Sequence, residues 1–263
     1  MNIIHLSYLD LVLASALVIL LAMLAMIMQL NITKKLLIAA IRTTVQLLLI
    51  GVVLKVLFAN ANLYWILLMS AIMLLVAGRE VMSRQQRRIS GLWGYLLGTG
   101  SMFVAAFASS LFALLFVVGN EPWYTPQYAI PLLGMMLGNT MNGVALGLDR
   151  LTQSVWQQRA SIEAKLALGY EWRHAIRDIV RDSVRVGMMP IINAMAAAGI
   201  VSLPGMMTGQ ILAGTEPFEA VKYQIMIMFM ITAGTGFATI IATHAGARRM
   251  FDDRCRLRLE RIT

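Results

Sequence analysis

The sequence predicts an all-α, polytopic integral membrane protein of about seven transmembrane helices with a helical polar insert. Two observations carry this expectation. Of the 263 residues, 59% are hydrophobic and 13% are charged, where soluble globular domains carry about 25% charged residues. Apolar runs of about 20 residues also recur along the chain, and each can cross a hydrocarbon core about 30 Å thick.

The runs fall in order at 11–30, 36–58, 63–77, 92–118, 128–148, 184–203 and 223–244. The first is too long for the apolar core of a secretory signal, and no basic segment precedes it, so it reads as a retained span. The second carries one charge well inside it, Arg42. The third is short for a crossing and the fourth is long. The fifth interleaves Gly134, Gly138, Gly143 and Gly147, a small-xxx-small spacing that lets neighbouring helices approach closely. The sixth runs out at Pro204 and Gly205, and a basic tail follows the seventh. One membrane domain is expected over 1–263, with the polar insert at 149–185 and the tail at 247–263.

Lys and Arg set the expected orientation, because cytosolic loops collect positive charge. With the N-terminus outside and the C-terminus in the cytosol, Lys34, Lys35, the arginines of 79–88, the insert and the tail all face the cytosol. Of 22 basic residues, only Lys55 and Lys222 then lie outside. The expected location is the inner (plasma) membrane. This topology and contact with anionic lipid head groups account for the net charge of +9, so no nucleic-acid partner is expected. Cys255 stands alone, which leaves neither a disulfide nor a cysteine metal pair.

No carboxylate lies near the middle of any run. Asp10 and Asp149 sit at run edges, and Glu121, Glu216 and Glu219 fall in outer segments. An ion-coupled carrier uses such a group for its driving ion, which weighs against that class. Arg42 either snorkels to the head groups or lines a polar passage with Gln46, one turn on and on the same face. Asn139 and Asn142 either hydrogen-bond between helices or face a substrate path. The 20 methionines include Met135, Met136, Met141, Met206 and Met207. Thioethers suit Cu(I), but scatter over many helical phases reads as packing. His5, His174 and His244 are far apart in sequence, and no ligand cluster for a hard metal ion is evident.

From Ser202 to Gln210, Pro204 and Gly205 break the helix and free backbone groups. At membrane depth such groups are buried in protein or face a watery cavity. The segment is either a gate beside Thr208 and Gln210, or a cap with a re-entrant connection. Within the insert, Trp156 to Leu168 are expected to form one short helix that Gly169 caps. A second helix follows from Glu171. Its apolar stripe is Trp172, Ile176, Ile179, Val180 and Val184, beside Asp178, Asp182 and a basic ladder of Arg173, Arg177, Arg181 and Arg185. That pattern predicts an amphipathic helix lying along the membrane surface before it turns into the sixth run.

Glu163-Ala164-Lys165, followed after three residues by Gly169, resembles the EAA-xxx-G coupling motif of ABC-transporter permeases. Lys165 replaces the second alanine, and Leu203-Pro204 lies farther from Gly169 than the usual LP pair. The wider segments, Glu163 through Leu203-Pro204-Gly205-Met206-Met207 to Lys222-Tyr223-Gln224, resemble the FetB-like (UPF0014) family of these permeases. The likeness extends more weakly over Arg42-Thr43-Thr44-Val45-Gln46 and Pro131-Leu132-Leu133-Gly134, and so covers most of the chain.

The resemblance implies that Glu163, Ala164, Leu166, Leu168 and Gly169 dock into a groove of a separate cytosolic ATPase. ATP and Mg would sit on that partner, because the chain contains no G-x-x-x-x-G-K-[ST] phosphate loop, and no cofactor of its own is expected. A homodimer of the permease with two ATPases follows. Bacterial members resemble iron exporters, so export of an iron-like metal ion is expected. Plant relatives, associated with aluminium tolerance and nucleotide-sugar transport, leave a nucleotide sugar or another small solute open. An ion-coupled secondary transporter is the rival outside the ABC class. The candidate translocation path comprises Arg42, Gln46, Asn139, Asn142, Ser202, Pro204, Gly205, Gln210 and Gln224; no catalytic residue or metal ligand is assigned.

Overall fold

A computed structural model describes residues 7–59, 62–119 and 121–262; His5 lies outside them. The chain divides into two compact units, Met1–Asn62 with Leu212–Gly214, and Leu63–Ile211 with Thr215–Thr263.

The first unit is a helical hairpin. Helix α1 (Tyr8–Ile27) begins at a capping box: the Ser7 hydroxyl accepts from the Asp10 amide, and the Asp10 carboxylate accepts from the Ser7 amide. Asp10 is therefore a helix cap, which explains a carboxylate at the edge of the first apolar run. Gln29 and Asn31 adopt positive φ in the turn, conformations that Asn and related polar residues tolerate better than branched ones. Helix α2 (Thr33–Ala59) then packs on α1, and Ala22 and Ala25 are buried.

The second unit opens with α3 (Leu63–Arg84). The expected third run ends at residue 77, but the helix carries polar residues onward to Arg84, so it is not short. The fourth run is α4 (Leu92–Met102), a π-helical segment Phe103–Phe107, α5 (Ala108–Phe112) and a second π-helical segment Ala113–Val118. Its i→i+5 turns take up more residues each than α-helical turns, which accounts for its apparent excess length.

The centre of this unit is α6 (Pro126–Gln157), which packs on α3, on α9 (Arg177–Ala197) and on α11 (Pro217–Arg249). It continues nine residues past the expected end at 148, because Leu151, Thr152, Ser154 and Val155 remain buried against neighbours. The first short helix of the insert is therefore divided. Trp156 belongs to the end of α6, the chain bends at Gln158, and α7 spans Arg159–Ala167.

Two further expectations change. No turn separates the amphipathic segment from the start of the sixth run. After the four-residue α8 (Trp172–Ala175), the chain continues as one helix, α9; Ile176 at the junction and Ile179 are buried while Arg177, Arg181 and Arg185 stay exposed. Helix α9 ends at Ala197, where Gly199 at φ +83° forms a tight turn closed by its amide on the Ser202 carbonyl. Pro204 and Gly205 do not break the sixth run. They open α10 (Gly205–Leu212), in which the Pro204 carbonyl accepts from the Thr208 amide.

Among the described residues, six helices are long and apolar enough to cross a membrane, against seven expected runs. The missing one is 184–203. Its first part lies in α9, whose first half carries Arg177, Asp178, Arg181, Asp182 and Arg185, and its remainder, 198–203, lies in the link beyond Ala197. Charge in the helix and the early helix end together separate it from the other six.

Candidate functional site

Helix α7 is built from good helix formers, Arg-Ala-Ser-Ile-Glu-Ala-Lys-Leu-Ala. Its C-terminus is a Schellman cap. The Gly169 amide donates to the Leu166 carbonyl at 3.0 Å and the Tyr170 amide to the Lys165 carbonyl at 3.1 Å, with Gly169 at φ +88°. A side chain at that position would be strained, which is why glycine ends the motif.

One face of α7 is anchored. Ile162 is 1% exposed, and the Lys165 ammonium donates to the Ala175 carbonyl at 3.5 Å, meeting an acceptor that the end of α8 leaves unsatisfied. The lysine that departs from the EAA pattern thus ties α7 to α8. The other face is presented outward: Glu163 and Ala164 are exposed, and Leu168 and Tyr170 are 78% and 55% exposed.

The elements on either side of α7 are clamped. The Arg150 guanidinium of α6 meets the Asp182 carboxylate of α9 at 2.7 Å. Asp149 accepts from the Gln86 amide at 2.8 Å and from the Gln153 side chain at 2.7 Å, and the Thr152 hydroxyl donates to the Arg87 carbonyl. The Arg87 guanidinium lies 4.0 Å from the Trp156 ring centroid. Further along, α6, α9 and α11 cross where Gly143 and Gly147 meet Gly187, Thr239 and Thr243. The close approach requires these glycines: a Cβ on Gly187 would stand 2.6 Å from the Gly143 carbonyl oxygen and 2.7 Å from the Thr239 methyl.

The basic tail is folded beside α7. The Asp252 carboxylate accepts from the Arg254 and Arg256 amides at 3.0 and 2.8 Å and pairs with the Arg256 and Arg258 guanidiniums at 3.0 Å. The Arg256 amide is the main cause that holds the Asp252 carboxyl down to about 2. Phe251 stacks on Trp172 with centroids 5.6 Å apart, and Ile262 bridges to Ile89. A cavity of about 390 Å³ separates Glu163, Leu166 and Ala167 from Arg254, Cys255, Arg256 and Leu257. Sequence reasoning missed this arrangement, because the Asp252 turn is only four residues long and Trp172 and Phe251 are distant in the chain.

The residues of the candidate path fall on several elements. Arg42 and Gln46 are exposed on α2, in the first unit. In the second unit, Asn139 donates within α6 to the Met135 carbonyl at 2.8 Å, and Asn142 accepts from the Arg84 guanidinium of α3, an interhelical bond. Ser202, Pro204 and Gly205 lie in the α9–α10 link and at the start of α10. Gln210 and Gln224, on α10 and α11, have buried amide oxygens with no hydrogen-bond donor among the described residues. No group of three His, Cys, Asp or Glu side chains suited to a metal occurs among the described residues.

These features define a polytopic, all-α membrane protein whose polar insert is a structured element clamped between two long helices. The model of the family described as "Uncharacterised protein family (UPF0014)" matches residues 8–251. The chain belongs to that family. It is similar to "UPF0014 membrane protein slr1647" of Synechocystis sp., at 41% identity over 225 residues, 85% of each chain. It is also similar to the Escherichia coli protein named "Probable iron export permease protein FetB", at 32% identity over 226 residues, 82% of this chain and 81% of the relative. A third relative, "Protein ALUMINUM SENSITIVE 3" of Arabidopsis thaliana, is 32% identical over 203 residues, 77% of this chain and 72% of the relative. No solved structure matches.

Proposed function

We propose that the chain is the membrane-spanning permease of an ABC transporter that exports an iron-like metal ion, driven by a separate cytosolic ATPase that binds ATP and Mg. The observation that carries this reading is α7, a capped helix with an anchored face and an exposed face bearing Glu163, Ala164 and Leu168. Such a helix is a rigid plug for a groove in a partner. The metal substrate rests on the name of the Escherichia coli relative.

In this reading two permease chains form a homodimer with two ATPases, in the inner membrane. The N-terminus is outside and the C-terminus is in the cytosol, which requires α9 to cross as the seventh span. Closure of the ATPases pushes α7, and α6 and α9 move with it. The α9–α10 link, including Ser202 and Pro204, opens outward. Gln210 and Gln224 belong to the path, since their unpaired amide oxygens are acceptors for the water O–H groups of a hydrated cation.

Co-purification with the candidate ATPase and measurement of its stimulated activity test the coupling. Gly169→Pro cannot adopt φ +88° and Glu163→Arg reverses a charge on the presented face; both are expected to lower stimulation at least about tenfold, a transition-state penalty of about 1.4 kcal/mol. Wild-type stimulation from both variants overturns the reading. Flux of Fe²⁺ into inverted vesicles tests the substrate, and ATP-driven flux of a nucleotide sugar without metal flux overturns it.

A further inference from the structure

We infer that the groove between α9 and α11 at their arginine-bearing ends is a specific site for an anionic phospholipid of the cytosolic leaflet. The inference rests on the orientation proposed above and assigns a ligand to a place distinct from α7. The groove encloses about 770 Å³, a volume within the usual range for a ligand site.

Its lining is graded along its length. Helices α9 and α11 run antiparallel, as the pairs Met195–Thr232, Met188–Gly236 and Gly187–Thr239 show. One end of the groove therefore joins Val184 to Ile240, both apolar. The other joins Arg173 and Arg177 to Arg248, with Arg181 and His244 between. Trp172 and Ile176 also line it, so all the charge, though not all the apolar surface, lies toward this end. Among the described residues none of these four arginines forms an ion pair. Asp182, on the same helix, is already engaged by Arg150, and Asp178 does not line the groove.

An amphiphile with a phosphate at one end and acyl chains at the other matches this gradient. The arginines take the phosphate through charge-assisted bonds, and Val180, Val184 and Ile240 take the first methylenes. A soluble phosphate compound would use the cationic end and make no contact with Val180, Val184 and Ile240. An acidic protein surface would leave those apolar side chains without a partner as well. Basic pockets between membrane helices are physically suited to anionic head groups for this reason.

The test is native mass spectrometry of the purified full chain in detergent, titrated with phosphatidylglycerol and, separately, phosphatidylcholine. Neither ATP nor the ATPase is present, so failure here leaves the coupling reading untouched. Each basic side chain beside an anionic head group strengthens binding about fivefold. The variant Arg177→Gln/Arg181→Gln/Arg248→Gln is accordingly expected to bind phosphatidylglycerol on the order of a hundredfold more weakly. Phosphatidylcholine binding should be unchanged. The variant Lys34→Gln/Lys35→Gln, which removes charge on α2, should bind phosphatidylglycerol as the wild type does. Equal phosphatidylglycerol binding by the triple variant and the wild type overturns the site. So does loss of preference in the α2 variant alone. Displacement of phosphatidylglycerol by an equal concentration of inorganic phosphate or UDP-glucose overturns the lipid assignment in favour of a soluble anion.

Discussion

Gly187→Ala probes the three-helix crossing beneath α7. The new Cβ would lie 2.6 Å from the Gly143 carbonyl oxygen and 3.3 Å from the Gly147 Cα. Ordinary contact begins at 3.4 Å, so the first approach is 0.8 Å too close (3.4 − 2.6). Both neighbours are backbone and cannot swing aside, so α6 and α9 must separate. Overpacking of this kind costs about 1–3 kcal/mol, and the better helix propensity of alanine returns at most about 1 kcal/mol. A net loss of up to about 2 kcal/mol is expected, a factor of up to about 30 in the folded-to-unfolded ratio. The full cost of about 1–3 kcal/mol separates it from a glycine-to-alanine control that gains the same propensity. Gly138→Ala, on the same helix as Gly143, is the matched control, since a Cβ there meets nothing within 4 Å. The assay is reversible unfolding in mixed micelles of both variants beside the wild type. Gly187→Ala should unfold first and Gly138→Ala no earlier than wild type. A Gly187→Ala midpoint equal to that of Gly138→Ala would falsify the argument that backbone contact fixes this crossing.

Leu168→Asp, at a side chain 78% exposed, should change stability by no more than about 0.5 kcal/mol while abolishing ATPase stimulation; a large stability loss would assign Leu168 to packing instead. The Arg150–Asp182 pair is about half exposed, so breaking it should cost at most about 1 kcal/mol. Arg150→Glu and Asp182→Arg should each uncouple flux from ATP hydrolysis, and the double swap should restore it; failure of the swap refutes the clamp. Because the Asp252 carboxyl is held below its ordinary value, the tail turn keeps its stabilisation above pH about 4 and loses it as pH falls toward 2. Hydrogen exchange over 251–258, corrected for the intrinsic rate, should therefore be slow at pH 7 and several-fold faster in Asp252→Asn at the same pH. Unchanged protection in that variant would show that contacts other than the Asp252 turn, the Phe251 stack and the Ile262–Ile89 bridge among them, hold the tail.

Apolar runs located most of the spans, since the requirement to satisfy the backbone in lipid leaves helices as the default. Their ends were less legible, for physical reasons that differ from site to site. Helix α3 continues to Arg84 because its last turns pack with polar residues that hydropathy ignores, including Arg84 with Asn142. The π-helical turns after Met102 and Phe112 have no composition signal, and the first of them packs on α11. The Gly169 cap of the insert's first helix was legible because capping is local chemistry, whereas the bend at Gln158 that divides the expected 156–168 helix was not. The Lys165–Ala175 contact, the Arg150–Asp182 clamp and the Asp252 turn were not, since each joins residues whose proximity only the fold creates.

The position of α7 bears on how a push could reach the spans. A helix joined by loose links would absorb a displacement in its own hinges. Here the link to α6 is the single residue Gln158, while Lys165 and the Trp172–Phe251 stack brace the far side. Arg150 and Asp182 tie α6 to α9 close to those links, and the glycine crossing leaves no slack between the same two helices. Interior groups packed to this density pass strain on rather than deform. In the proposed permease, force on Leu168 would therefore move α6 and α9 as one body. Helix α11 meets that body at Thr235, Thr239 and Thr243 in the same close crossing, so a displacement of α6 and α9 bears on it directly.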